Sequence, residues 1–423
     1  MLANAVKTAS INFMRHIRFV NGLELIVHTD VRLKNTVLNI LYKVGSAQED
    51  KSQTGLAHFL EHIMFEGSKA FPNFDEELQT MMAENNAFTG QDYTCYYEVF
   101  PHRYFKRVLQ IEMDRMCHLS IKTKSVQLQS SVIQEEFKET SIHPPLADVW
   151  HHLQKLCFKN TYQWPVIGKN LAHIASIDKA SLKRFYKNFY QPSNAILTII
   201  TALDDETIIA DVEQVFRTNQ QSLSTAPPEI EMTRNDRATG YKRLIRSNIA
   251  TPHFYLAFHI EDFASRAYFL SDMLSDLLTN GESSLLYKAL ILDSKLCTDV
   301  TSYTTDNIHC NLLIIEGKLF SGADFEDVYL AIKKAFKHLI ENGLTKSRFE
   351  TLHNKALSYW SFYHYNTAHL AQNMAIFYQA RSVLDIHKYI AEIYHSIGKK
   401  DLENHIANFL RLDKTSRLEY MPK

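Results

Sequence analysis

The densest chemistry in this 423-residue chain sits in five consecutive residues, His58-Phe59-Leu60-Glu61-His62. At about 100° per helical residue, His62 lies roughly 40° from His58 and Glu61 roughly 60° to the other side, so two imidazoles and a carboxylate share one face. Phe59, Leu60, Ile63 and Met64 occupy the opposite face, which gives the helix an apolar side for packing and leaves the polar trio to line a site. Two imidazoles one turn apart can hold one cation, and a carboxylate between them can take a proton from a water beside it. H-x-x-E-H is also a recognised catalytic spacing.

A catalytic zinc usually takes three protein ligands and keeps one position open. The helical stretch 126–140 offers Glu135, Glu136 and Glu139 as the third. With Glu136 as origin, Val132 falls at roughly −40°, Ile133 at roughly 60° and Phe137 at roughly 100°. Glu136 therefore lies inside the apolar arc, Glu139 at its edge and Glu135 beyond it. An unpaired carboxylate on a buried face is very costly, and one zinc ion per chain is the partner expected here.

These segments resemble the pitrilysin-type zinc peptidases, the inverted-zincin family that includes mitochondrial processing peptidases and insulin-degrading enzymes. The likeness runs through His58 to His62, Asn85-Asn86-Ala87-Phe88-Thr89, Val132-Ile133-Gln134-Glu135-Glu136, Trp164-Pro165-Val166-Ile167-Gly168 and Tyr190-Gln191-Pro192-Ser193-Asn194-Ala195. It implies a zinc endopeptidase in which His58, His62 and Glu136 hold the metal and Glu61 is the general base. Asn85, Asn86, Ala87 and Phe88 would form the substrate-side strand. Chain length matches the half-size branch, in which two similar domains make one chain and two chains make a shell. The sequence departs from the family in two places. Gln129 stands where many members have a supporting glutamate, and Leu285 and Thr298 stand where an Arg and a Tyr usually contact substrate. The second departure favours a heterodimer with a family paralogue over a homodimer. The alternative function is a non-catalytic scaffold or assembly subunit of the same fold.

The elements that must position these residues read as α+β. Strand signals occur at 23–28, 37–44, 87–100 and 195–202, with helical periods at 54–65, 102–118, 125–140, 146–157 and 178–189. Periodicity lapses from Asn219 through Pro228, and a similar order of elements then begins again. This predicts an N-terminal zinc-binding domain at 1–218, a linker at 219–242 and a degenerate second domain at 243–423, each a mixed, antiparallel-rich sheet packed by helices.

Composition excludes other classes. Lys plus Arg number 46 against 47 acids, a net charge of −1 that gives no global field for nucleic acid or acidic membranes. Only 12 glycines are present and no phosphate-binding loop is found; Gly317 to Gly322 has the spacing but lacks the Lys-Ser/Thr ending. The five cysteines form no CxxC pair, and no apolar run reaches the roughly 18 residues of a membrane span. A bacterial cytoplasm is the favoured location, with a faint presequence-like character in residues 1–16. His151-His152 and Asp204-Asp205-Glu206 are expected to be surface or turn charge.

Overall fold

Two sheets of matching connectivity organise the protein, whose computed structural model describes residues 13–217, 236–363 and 365–423. The first unit runs β1 (Phe13–Arg18), β2 (Glu24–Thr29), β3 (Asn35–Tyr42), α1 (Leu56–Met64), α2 (Phe74–Thr80), β4 (Glu84–Thr89) and β5 (Thr94–Pro101). It continues through α3 (Phe105–His118), α4 (Thr123–Ser141), α5 (Val149–Cys157), α6 (Leu171–Ala175), α7 (Lys179–Phe189), β6 (Ala195–Thr201) and α8 (Asp205–Arg217). The second unit comprises β7 (Tyr241–Arg246), β8 (His253–Ile260), α9 (Arg266–Thr279), a π-helical stretch at Tyr287–Asp293, β9 (Cys297–Thr304) and β10 (Asn311–Leu319). It ends with α10 (Phe325–Asn342), α11 (Lys346–Tyr363), α12 (Thr367–Arg381), α13 (Ile386–Ser396), α14 (Lys399–Phe409) and β11 (Ser416–Pro422).

The first sheet has the order β1-β2-β6-β3-β5-β4 and the second β7-β11-β8-β10-β9. Apart from β1 the two superimpose as patterns. Each has one parallel pair, β2 with β6 and β7 with β11, while the other neighbours are antiparallel. This is the α+β pair of domains that the sequence suggested. Residues 219–235, the larger part of the expected linker, lie outside the described residues, as do residues 1–12; β7 begins at Tyr241.

One expected strand is corrected. Residues 87–100 form parts of two strands, β4 and β5, paired from Glu84↔Val99 to Thr89↔Thr94 around the turn at Gly90 to Tyr93. The run is rich in Thr, Tyr and Phe on both sides of the turn, so β-propensity alone bridged it. As a result β4 is a sheet edge rather than half of one long strand.

Strands β3 and β6 are buried almost throughout because both sheet faces are covered. On one face Leu25, Val27, Leu38, Ile40, Leu197 and Ile199 pack with Phe59, Leu60, Ile63 and Met64 of α1. On the other, Ile26, Val37, Leu41, Ile196 and Ile200 join a core that includes Ala371, Met374 and Ala375 of α12. That helix comes from the second unit. The exchange is reciprocal, since Val149, Leu153 and Cys157 of α5 pack with Tyr255, Leu312, Ile314, Leu418 and Tyr420 of the second sheet. The two exchanged helices occupy the same place in the order of their units, the third helix after the hairpin.

Buried or half-buried carboxylates fasten this exchange. Asp92 accepts from the Tyr162 hydroxyl and from the amides of Ile308 (2.8 Å) and His309 (3.4 Å) in the second unit. Asp148, at the start of α5, accepts from Tyr420 Oη (2.7 Å), Arg246 and His152. Burial works against its charge, but those three partners hold the Asp148 carboxyl well below the usual range. A group so depressed stabilises the fold above its unfolded pKa of about 4 and stops doing so as pH falls through its folded value. Asp148→Asn is therefore expected to cost about 1–2 kcal/mol at neutral pH, a charged hydrogen-bond loss discounted for partial exposure. The difference from wild type should shrink steadily below about pH 4; a denaturant titration series across pH measures it.

Candidate metal centre

Helix α1 begins at an unusual cap. Gly55 occupies the N-cap position with φ +90°, and a Cβ there would lie 2.8 Å from the Ile167 carbonyl oxygen. Gly168 packs against it, itself at φ +108° with Thr54 O 3.0 Å from where its Cβ would be. Glycine is required on both sides of this crossing, which accounts for Gly168 at the end of the Trp164 to Gly168 segment. The cost is that residue 55 has no side chain to cap the helix. Glu49 supplies the cap from the preceding loop, with Oε2 accepting from Gly55 N at 2.8 Å and Oε1 from Ala57 N at 2.7 Å. It is 6% exposed, and burial pushes its carboxyl up to about 8 against the pull of those amides.

From that cap α1 projects as the helical wheel predicts. Leu56, Ala57, Phe59, Leu60, Ile63 and Met64 are buried, and the His58 and His62 rings sit edge to face with centroids 4.8 Å apart. Glu136 arrives from α4. Its Oε1 lies 3.6 Å from His58 Nε2 and its Oε2 lies 3.5 Å from His62 Nε2. Among the described residues, His58, His62 and Glu136 form the one group of three or more His, Cys, Asp or Glu whose ligand atoms all lie within 4.8 Å of one another.

The apolar face of α4 differs from the expected one at Val132. Val132, placed within the apolar arc, is 43% exposed, and the buried face of α4 is narrower: Val126, Ile133 and Phe137. Glu136 sits at its margin, half-buried, facing the histidines. Glu135 pairs with Lys138 and Glu139 with His143, both at the surface.

Electrostatics favour the metal-binding state at two of the three groups. At His62 burial works against the charge, but its hydrogen bonds to Glu136 and Gln129 raise the ring above its ordinary value. Burial pushes His58 down to about 4, which keeps its ring neutral and its lone pair available. The hydrogen bond to His62 holds Glu136 below its ordinary range, hence ionised. Burial raises Glu61, although the Thr89 hydroxyl donates to its Oε2. Thr89 ends β4, so the edge strand and the carboxylate are directly joined. Gln129, two turns before Glu136, accepts from His62 Nδ1 at 3.1 Å and donates to Glu66 at 2.8 Å.

Of the strand residues, Asn85, Asn86, Ala87 and Phe88 all lie on β4, partly or fully exposed along the sheet edge. Leu285 packs partly buried against the second core, and the Thr298 hydroxyl donates to Lys318 O, so neither extends a free donor toward α1. His151 and His152 face Gly168 O and Asp148 and join no metal cluster among the described residues. Sequence reasoning missed Glu49, Glu66 and the part played by Thr89. The signal for Glu49 was an acidic pair, Glu49-Asp50, ahead of a helix whose N-cap is glycine.

Similarity places this arrangement in a family. A sequence profile described as "Insulinase (Peptidase family M16)" matches residues 34–170, and a second, "Peptidase M16 inactive domain", matches 176–355. The chain belongs to the M16 peptidase family. It is 24% identical over 336 residues to a protein named "Uncharacterized zinc protease YmxG" of Bacillus subtilis, covering 78% of this chain and 79% of the relative. It is 23% identical over 241 residues to the "Probable mitochondrial-processing peptidase subunit beta, mitochondrial" of Arabidopsis thaliana, covering 56% of this chain and 45% of that one. The fold matches the crystal structure of a protease from Helicobacter pylori with TM-score 0.88 at 18% identity, over 97% of this chain and all of the other.

Removing the Glu49 cap should loosen α1 first. Glu49→Ala is expected to destabilise the protein by about 1–3 kcal/mol, the scale for stranding buried amide donors. Hydrogen exchange at Gly55 and Ala57 should rise well above that of the sheet; unchanged protection there would refute the assignment.

Proposed function

We propose that this chain is a zinc-dependent endopeptidase acting on peptides or unfolded segments. The observation that carries the reading is the convergence of two imidazole Nε2 atoms and both Glu136 oxygens, with Glu61 alongside on the same helix face. The donor set fits zinc: two neutral nitrogens and one carboxylate, the number that leaves a coordination position open. His58, His62 and Glu136 would hold one ion, which when bound supplies a Lewis acid and lowers the pKa of water toward about 7. Glu61 takes the proton from the attacking water and returns it to the leaving amine. Thr89 steadies the Glu61 carboxylate for that exchange. Substrate would add along the β4 edge at Asn85 to Phe88 as an extra strand, which brings its backbone past Glu61.

Glu61→Gln should retain zinc and lose at least ~10²-fold in turnover, the scale for removing a positioned base. His58 and His62 substitutions should abolish zinc binding. Glu136→Gln should weaken zinc retention strongly while Glu135→Gln and Glu139→Gln leave metal content near normal, because only Glu136 faces the imidazoles. Metal analysis after dialysis reads all of these; equal loss in the three glutamate variants contradicts the ligand set.

A second reading, a non-catalytic scaffold or assembly subunit, draws support from Leu285 and Thr298 and from the match of residues 176–355 to the "Peptidase M16 inactive domain" profile. Family likeness at this identity reaches the fold, and the fold suits both readings. Retention of the whole cluster together with Glu61 favours turnover. The substrate-side deficit is better met by a partner: loss of one such donor commonly costs ~3 kcal/mol, and a homodimer would suffer it twice. We favour a heterodimer with a paralogue that keeps the Arg and Tyr. Stoichiometric zinc with no cleavage of an unstructured peptide library, alone or with the paralogue, would establish the scaffold. Full activity of the isolated chain, unchanged by the paralogue, would exclude the heterodimer. Five cysteines held as thiols suit a reducing compartment such as a bacterial cytoplasm, and among the described residues no helix is long and apolar enough to cross a membrane.

A further inference from the structure

We propose that Glu66, acting through Gln129, decides which nitrogen of His62 faces the metal position; the inference rests on the metal reading above. Glu66 follows the end of α1 and Gln129 lies on α4, so the link ties together the same two helices that carry the cluster. An ionised carboxylate can only accept hydrogen bonds, whereas a primary amide donates at one end and accepts at the other. Gln129 Nε2 lies 2.8 Å from Glu66 Oε1, which turns the amide oxygen toward His62 Nδ1 at 3.1 Å. An acceptor at that place requires the proton on Nδ1. A neutral imidazole protonated on Nδ1 carries its lone pair on Nε2, the atom 3.5 Å from Glu136 Oε2. Glu66 thus fixes the amide, the amide fixes the tautomer, and the tautomer presents the ligand atom. His58 has no such device, since its buried Nδ1 has no hydrogen-bond partner among the described residues. Glu66 and Gln129 are positioning residues: neither touches the space between the three ligand groups.

The character of residue 66, rather than its bulk, should set zinc affinity. In the full-length chain, Glu66→Gln still offers an acceptor and should stay within a few-fold of wild type by chelator competition. Glu66→Lys offers only donors, so the Gln129 amide turns over, its NH2 meets Nδ1, and the imidazole proton moves to Nε2. Affinity should then fall by ~10–100-fold, the scale for losing an outer hydrogen-bond partner of a ligand. Adding Gln129→Glu to Glu66→Lys supplies a carboxylate that accepts from both neighbours and should restore binding. Imidazole 15N spectra of the metal-free proteins in alkaline buffer should show the His62 proton on Nδ1 in wild type and the double variant, and on Nε2 in Glu66→Lys. A purely electrostatic effect of the introduced ammonium on the cation would leave that signature unchanged. If Glu66→Lys does not fold, Gln129→Leu, which removes the acceptor, should lose affinity by a similar factor. Wild-type affinity in Glu66→Lys or Gln129→Leu, or an unmoved proton, overturns the inference while leaving the metal reading intact. A wild-type chain that takes up no zinc overturns both.

Discussion

Helix α1 cannot cap itself, because the backbone of Ile167 and Gly168 crosses it at residue 55 too closely for any side chain. Glu49 resolves this by burying a carboxyl group against the amides of the first turn, where the positive end of the helix dipole also favours acceptor oxygens. Everything downstream takes its bearing from that anchor. A small rotation of α1 would move His58 and His62 away from Glu136 on α4 and would break the Thr89 bond that holds Glu61. The site's geometry therefore depends on a buried acid that itself coordinates nothing.

Matching sheets do not carry matching chemistry. Helix α9 has the place in the second unit that α1 has in the first, yet it contains no histidine and is buried around most of its circumference. Its role is to pack. The second unit contributes instead through α12, which covers the open face of the first sheet. Of two units with the same sheet order, one thus presents polar groups and the other supports it, with β4 as an edge strand at the boundary of the first sheet.

What the sequence disclosed was whatever is local. His58, Glu61 and His62 lie within about one helical turn, so their common face follows from helix geometry alone. Glu136 was reached by phase, although part of the phase argument rested on Val132, which is exposed: apolar character marks a buried face only statistically. The hairpin at Gly90 was hidden because strong strand formers flank it on both sides. Glu49, Glu66 and Thr89 act across loops and between elements, and no periodicity encodes such contacts. Nor does any pattern in α5 or α12 announce that each would pack on the other unit's sheet.

That exchange bears on how the chain is made. Strand β6 ends at Thr201, but the helix that covers the first sheet does not begin until Thr367. At roughly 5–20 residues per second of synthesis, the face formed by Ile26, Val37, Leu41, Ile196 and Ile200 waits on the order of 10–30 s for its cover. During that interval a nascent first unit shows a sizeable apolar surface to its surroundings. Holdase chaperones acting on the ribosome-bound chain would be most needed over this stretch of translation, and a pause placed before α12 would be more hazardous than one placed after it.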